Sequence, residues 1–537
     1  MMNIAGAIRF WRVPASQGAR PVASRLALLP LGILGALLLS VVASAQLAHL
    51  NSDQLYLPSL YEDLFVNHGS LRAWVLPPAP SFFPDLVLYA VVKPFTTNVG
   101  LAFALAVCAQ FALTVALAGW LLRTACPSYR VPWIEVLLSG IALLLLLAAH
   151  PMSHDFFSMT HHVGALAVGI ALAALWTRTL DQWRASEGVA TALLVFLGAA
   201  SDLIFVPQFV LPLCFATLFL GVSRRLSRRA AARPLMATGA GLVAAIGVIR
   251  FLQTKGSAAG AELARAGAPG VTPESPHGFI RLAGPVLGEN VVDLSAWLSG
   301  PFSVLLVVAL LAAAVIARRS WREQPTRDRD RTLFVCVFFL GCMACTLCGP
   351  VATLGVDPRY MQPVYFLPAL FLPWFLRALG WSAVQRVSLL GVSAFAVFLA
   401  ACSSGRPLAP ASFHLPYPAS VACVDRVAED AGAEYAFASY WYARYIQFHS
   451  RRGLFVNELS EDLGPRVWIS SRSWYARATA ARPDRVVVVS ARLPVERFDD
   501  VLGRPLRVSS CPGFDVYTYD YSRLSSGAKQ ALGADVH

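Results

Sequence analysis

Gly188–Val222 reads GVATALLVFLGAASDLIFVPQFVLPLCFATLFLGV, 35 residues whose single charge is Asp202. At 1.5 Å per residue this run is either one long membrane span or two short ones meeting at Ser201-Asp202. Charge on the two sides decides between them. With two spans, eleven apolar segments thread a bilayer: 26–48, 99–122, 132–149, 163–178, 188–201, 203–222, 235–252, 293–317, 332–353, 361–377 and 387–402. The six segments on the N-terminal side then hold 21 Arg and Lys, against five in the short external loops: Arg72, Lys255, Arg265, Arg281 and Arg359, with Lys93 and Arg250 left out as lying inside apolar segments. With a single span, the clusters Arg224–Arg233, Arg318–Arg331 and Arg377–Arg386 change sides and carry 13 charges with them. Basic loops stay cytoplasmic, so the expectation is two spans, N-terminus inside and C-terminus outside.

Composition points the same way. Of 537 residues 56% are hydrophobic and 14% charged, with mean hydropathy +0.57. Soluble domains carry about 25% charge, so an array of soluble domains and a disordered chain are both excluded. The net charge of +13 could suggest nucleic acid. Most arginines, however, sit in short clusters between apolar runs, and no basic face interleaves with aromatics, so nucleic acid is set aside. Only Lys93, Lys255 and Lys529 are lysine; that arginine bias fits a GC-rich bacterial genome and hence a bacterial inner membrane. Residues 1–25 read as a cytoplasmic segment ahead of an uncleaved anchor. Cys342, Cys345 and Cys348 fall three apart and read as small buried hydrophobes. There is no internal repeat, so an inverted-repeat transporter gains no support.

The fold class expected is therefore a polytopic α-helical membrane protein of about 11 transmembrane helices with a C-terminal extracytoplasmic α/β domain. The membrane core runs over 26–402 and its first external loop over 49–98. Within that loop, apolar residues of Leu55–His68 recur at helical spacing, predicting an amphipathic helix on the outer surface. Phe82–Phe95 holds Pro84, Asp85, Lys93 and Pro94 and is too short to cross; it reads as re-entrant or interfacial. Trp74 fits an interfacial anchor and Pro77–Pro80 a stiff loop. Residues 413–522 alternate helical stretches (Ala419–Ala431, Pro494–Leu502) with β-rich runs (Tyr435–Ser439, Leu454–Asn457, Arg485–Ser490, Phe514–Tyr519), which predicts a small periplasmic domain. Residues 523–537 read as a flexible tail. Cys423 and Cys511 lie well inside the domain, where an oxidising compartment permits a disulfide; two buried thiols are the alternative.

Acidic residues in or beside apolar segments are the informative signal, because burying one in a bilayer is costly. Asp53, Glu62, Asp63, Asp85, Asp155, Asp202 and Asp357 all fall on the outer side of this topology, which suggests a polar vestibule opening outward. Asp53 is either a general base toward a hydroxyl or the N-cap of the helix that follows. Asp202 either binds a metal or acceptor, or caps a helix. His154-Asp155 and His161-His162 flank one external turn and suit metal or phosphate binding, or simply an interface. Arg359, beside Tyr360, either clamps a lipid phosphate or pairs with a vestibule carboxylate. Tyr440-Trp441-Tyr442, Trp468 and Trp474-Tyr475 stack on sugar rings or pack the domain core.

One acidic residue soon after the first span, a long first external loop and a polytopic core with an outer domain together resemble the GT-C glycosyltransferases. The nearest groups are the protein mannosyltransferases and the lipid A aminoarabinose transferases. Arg359-Tyr360 before a late span is similar to a feature of that superfamily. The resemblance covers residues 26–402. It implies transfer of a sugar from a polyprenyl-phosphate carrier to a glycan, lipid or protein acceptor on the outer face, with membrane lipids as surroundings. It matches Asp53 to the first-loop catalytic acid and leaves Arg359, Tyr360, His154, His161 and His162 to bind substrate. Many relatives have a second acid beside the first, whereas this chain reads Ser52-Asp53-Gln54. The second acid then falls to Asp155 or Asp202, and dependence on a divalent metal stays open. A transporter or flippase of lipid-linked substrates, and an O-antigen polymerase or ligase, are the rival readings.

Overall fold

The computed structural model describes residues 21–77, 79–125, 131–149, 157–180, 183–255, 301–353, 358–403 and 413–533. A helix lies under each of the eleven apolar segments. Among the described residues five helices are long and apolar enough to cross a membrane: Leu28–Gln46, Val99–Ala125, Arg228–Leu252, Phe302–Arg322 and Arg327–Cys348. Shorter apolar helices include Trp133–Ala148, Val163–Thr179, Ala185–Ser201 and Val206–Val222. The chain is a multi-pass membrane protein by these helices, with a mixed α/β region at its C-terminal end.

Gly188–Val222 is broken at Asp202. The helix Ala185–Ser201 ends there on an extended residue (φ −161°, ψ 111°), and a new helix begins by Val206. The Asp202 carboxylate accepts from the Ile204 backbone N–H at 3.1 Å, so it terminates one helix while holding the turn before the next. At the far end of Val206–Val222, Arg225 binds Asp330 at 2.8 Å and donates to the Trp321 carbonyl at 2.6 Å. Arg386 grips Glu135 with two bonds of 2.8 and 2.9 Å. These pairs, the second of them buried, join neighbouring turns whose arginines the charge count assigns to the cytoplasm.

The first external loop departs from expectation. The helix Ser52–Tyr61 does not lie on a surface: Leu55, Tyr56, Leu57 and Leu60 are all buried. It is covered by the C-terminal domain, whose helix Tyr440–His449 packs across it. Trp74 is likewise no interfacial anchor. It is buried, and Trp74–Val75 (β1) pairs antiparallel with Ser470–Ser471 (β4) of the C-terminal domain. Asp63, also buried, accepts from the indole N–H groups of Trp74 at 2.6 Å and Trp474 at 3.0 Å. One carboxylate thus fastens the loop to the domain. Asp85 is buried too, bonded to Gln110 at 2.8 Å. A Cβ on Gly164 would stand 2.0 Å from its Oδ2, so only glycine admits this loop so close to the start of Val163–Thr179.

The C-terminal domain is a five-stranded sheet in the order β3-β2-β5-β7-β6: Phe455–Leu459, Tyr435–Ser439, Arg485–Val489, Phe514–Asp520 and Arg507–Cys511. The pairs β2–β3 and β2–β5 are parallel; β5–β7 and β6–β7 are antiparallel. Alternation sets the two faces. Val487 and Val489 meet Val421, Val424 and Ile446 on one side, while Val486 and Val488 meet Phe498, Leu502 and Leu532 on the other. Of the expected tail the described part, through Gly533, is folded: Ser525 caps the helix Ser526–Ala531, and Leu532 packs on the sheet. Cys423 and Cys511 form a disulfide with Cα atoms 5.7 Å apart, tying helix Ala419–Ala431 to β6.

Candidate active site

A cleft of about 650 Å³ opens where the helical core meets the C-terminal domain. Its walls bring together Asp53, His161, His162, Asp202, Arg359 and Tyr360, residues spread over three hundred positions of chain. Six of the eight sequence-derived site residues therefore share one cavity. Asp155 and His154 lie outside the described residues, as does Asp357. Of the remaining candidate acids, Glu62, Asp63 and Asp85 are not part of the lining.

Asp53 owes its position to its neighbours. Asn51, not Asp53, caps the helix: its side chain accepts from Gln54 N–H at 3.2 Å, and Gln54 answers to the Asn51 N–H at 3.1 Å. This capping box satisfies the helix end and leaves the Asp53 carboxylate for other work. Its Oδ2 lies 3.5 Å from Arg359 Nη1, and its Oδ1 accepts the hydroxyl of Tyr440. Ser52 donates from its own hydroxyl to the Tyr440 carbonyl, so two consecutive residues dock on the first turn of one domain helix. Burial, and then the charge of Asp53, push the Tyr440 phenol well above its ordinary range, which keeps it a donor.

Opposite stands a second pair. His162 Nδ1 and Asp202 Oδ2 are 2.5 Å apart. His162 has φ +67°, a left-handed conformation uncommon for a residue with a side chain, held where helix Val163–Thr179 begins. Its ring lies 5.1 Å from that of Tyr360. The Tyr360 carbonyl accepts from Gln208 at 2.6 Å, and the His161 carbonyl from Gln362 at 3.2 Å. The buried Gln208 and Gln362 thus lock both backbones that carry site residues. Arg359 lies against the Tyr360 ring at 5.3 Å.

The domain adds Tyr440, Trp441, Arg466, Trp468 and Ile469. Arg466 stands over the Tyr440 ring at 5.5 Å. Behind it the buried Glu458 lies 3.6 Å from the buried Arg444, itself stacked on Trp474 at 4.2 Å. Burial pushes the Glu458 carboxyl up to about 8, against the pull of Arg444 and Arg466. Tyr440 and Arg466 as partners of the site are invisible in sequence, since 387 residues separate Tyr440 from the carboxylate it binds. Of the aromatic residues expected to stack or to pack, Tyr440, Trp474 and Tyr475 are buried and Trp441 is exposed.

The chemistry on offer is specific. Two guanidinium groups face a cleft that also holds one carboxylate and one carboxylate-bound imidazole, so it suits an anionic group and a proton acceptor side by side. Among the described residues no three His, Cys, Asp or Glu converge as a cation shell; Asp202 and His162 bind each other. Toward the core the wall is apolar: Leu203 and Pro207 line the cleft and are exposed, and Leu211, Phe215 and Leu218 continue that exposed stripe down the helix. No family model matches the chain, and no curated protein matches it.

Proposed function

We propose that the protein is a glycosyltransferase of a bacterial inner membrane that moves a sugar from a polyprenyl-phosphate carrier to an acceptor on the outer face. The observation that carries this reading is the contact between Arg359 and Asp53 at the head of an apolar stripe. A prenyl tail partitions into lipid and lies along Leu203, Leu211 and Phe215, which puts its phosphate at the level of Arg359. The guanidinium then exchanges a carboxylate for a phosphate, and Asp53 is released as a base. Asp53 takes the acceptor proton as the acceptor oxygen attacks the anomeric carbon and the lipid phosphate departs. Arg359, with Arg466 nearby, offsets the charge that grows on the leaving phosphate. Tyr440 holds the carboxylate in place through Oδ1.

The test is reconstitution. The full chain in proteoliposomes is supplied with prenyl-phosphate sugars extracted from the host, with the host's envelope glycans as acceptors. Mass spectrometry showing a new glycosidic product and free prenyl phosphate supports the reading. Movement of intact lipid-linked sugar between leaflets with no product replaces the enzyme by a flippase.

A further inference from the structure

A second cavity, about 580 Å³, lies on the C-terminal domain and is walled by Trp441, Tyr442, Tyr445 and Phe514, with Arg492 and Asn51 at its rim. It is not a separate feature. Trp441 lines both this groove and the cleft, and Asn51 stands two residues before Asp53. The groove and the cleft therefore share the Trp441 ring as a wall. Trp441 is 40% exposed, whereas its neighbours Tyr440 and Trp474 in the same domain are buried. Arg492 sits 5.8 Å from the Trp441 ring centre, and Tyr442 packs edge-on to Phe514 at 5.8 Å, so the aromatic faces are held in fixed attitudes. The Cys423–Cys511 disulfide anchors the turn before Phe514 to the helix bearing Ser420, which lines the same groove.

We propose that this groove binds the saccharide portion of an acceptor longer than one sugar, feeding its terminal hydroxyl past Trp441 to Asp53; the direction of feed rests on the transferase reading, the saccharide site does not. Aromatic faces match the C–H faces of pyranose rings, and Asn51, Arg492 and the tyrosine hydroxyls serve the ring hydroxyls. The rim carries Arg492 and no carboxylate, so neutral or acidic sugars fit and cationic ones do not. In this arrangement the preceding sugars lie in the groove and the reacting one beyond Trp441, the residue common to groove and cleft.

The experiment uses the full chain in lipid nanodiscs on an array of short bacterial oligosaccharides, with a peptide array run in parallel. Wild type and Asp53→Asn bind the same glycans, while Trp441→Ala and Arg492→Asn each lose about tenfold or more of that signal. Asparagine suits the left-handed backbone of Arg492 (φ +58°), so that variant folds where a bulkier choice strains. Co-sedimentation with vesicles containing undecaprenyl phosphate is measured alongside and is unchanged in Arg492→Asn. Glycan binding without prenyl-phosphate binding upholds the groove and overturns the transferase reading. Equal glycan signals in wild type and both variants, no glycan signal in wild type, or peptide binding abolished by Trp441→Ala each overturn the groove.

Discussion

Arg359 Nη1 stands 3.5 Å from Asp53 Oδ2 while the Tyr440 hydroxyl binds the other oxygen of the same carboxylate. The late loop of the helical core and the C-terminal domain thus meet on one side chain of the first external loop. The two charged groups are partly exposed, and such a pair is worth at most about 1 kcal/mol. A phosphate, with more charge and more acceptor oxygens, displaces it readily. In the proposed transfer reaction the resting contact is a placeholder for the donor phosphate.

Asp53→Asn and Arg359→Ala should fail in different ways. The carboxamide keeps the shape of Asp53 but accepts no proton, so turnover falls by roughly 10²–10⁴-fold with folding and insertion intact. Donor KM stays level or drops, because Arg359 no longer has a competing carboxylate. Arg359→Ala raises donor KM and lowers kcat together, since it touches the phosphate before and during transfer. Steady-state transfer in proteoliposomes separates the two. Wild-type turnover in Asp53→Asn would move the proton acceptor to the His162–Asp202 pair.

Asp63 should matter for assembly and not for chemistry. It is buried, accepts two indole N–H groups, and lies outside the cleft lining. Asp63→Ala strands both donors, at a cost of about 1–3 kcal/mol for each buried group left unpaired. The expected result is faster proteolytic release of the C-terminal domain and a lower Tm, with the donor affinity of surviving protein unaltered. Limited trypsinolysis in detergent, read beside Asp53→Asn as a control, checks it.

Glu458 predicts a pH dependence with a definite sign. Its carboxyl titrates near 8 in the folded domain, against about 4.3 in an unfolded chain, because burial penalises the charge. The folded state therefore holds the extra proton between those values, and stability falls as pH rises from about 5 to about 8. Glu458→Gln mimics the protonated acid, so Arg444 keeps an acceptor beside it. Thermal unfolding of the variant should be flatter across that window and relatively more stable at pH 8 than at pH 6. Parallel wild-type and variant curves would mean that Glu458 is ionised throughout.

How much of this was legible in sequence follows from the range of each interaction. The break at Asp202 could be read because charge on distant loops constrains it, and β2 and β5 because their apolar runs are continuous. Asp53, Asp202 and Arg359 stood out as charges beside apolar segments, which is a local signal. The buried face of Ser52–Tyr61 was not legible: its apolar pattern suits lipid as well as protein, and only the docked domain decides. Tyr440 and Arg466 were equally hidden, since nothing local marks a tyrosine for a carboxylate 387 residues away. The strand Arg507–Cys511 was missed because it is an exposed edge with no apolar alternation.

Sidedness is the prediction on which the outward-facing cleft depends. Ser227 lies in the turn between Val206–Val222 and Arg228–Lys255, beside Arg225 and its partner Asp330. Arg504 is an exposed residue of the C-terminal domain. The arginine count puts the first inside and the second outside. Single cysteines at Ser227 and at Arg504 are placed in a chain that keeps the Cys423–Cys511 disulfide and has serine at its other cysteines. Spheroplasts are then treated with a membrane-impermeant maleimide before and after lysis. Labelling at 504 in intact spheroplasts, with labelling at 227 only after lysis, is the expected pattern. The reverse pattern would turn the cleft toward the cytoplasm, where nucleotide-activated sugars are the available donors, and Arg359 would then face a nucleotide diphosphate in place of a prenyl phosphate. Labelling of both in intact spheroplasts would mean an even number of crossings between Ser227 and Arg504 and so overturn the five spans placed between them.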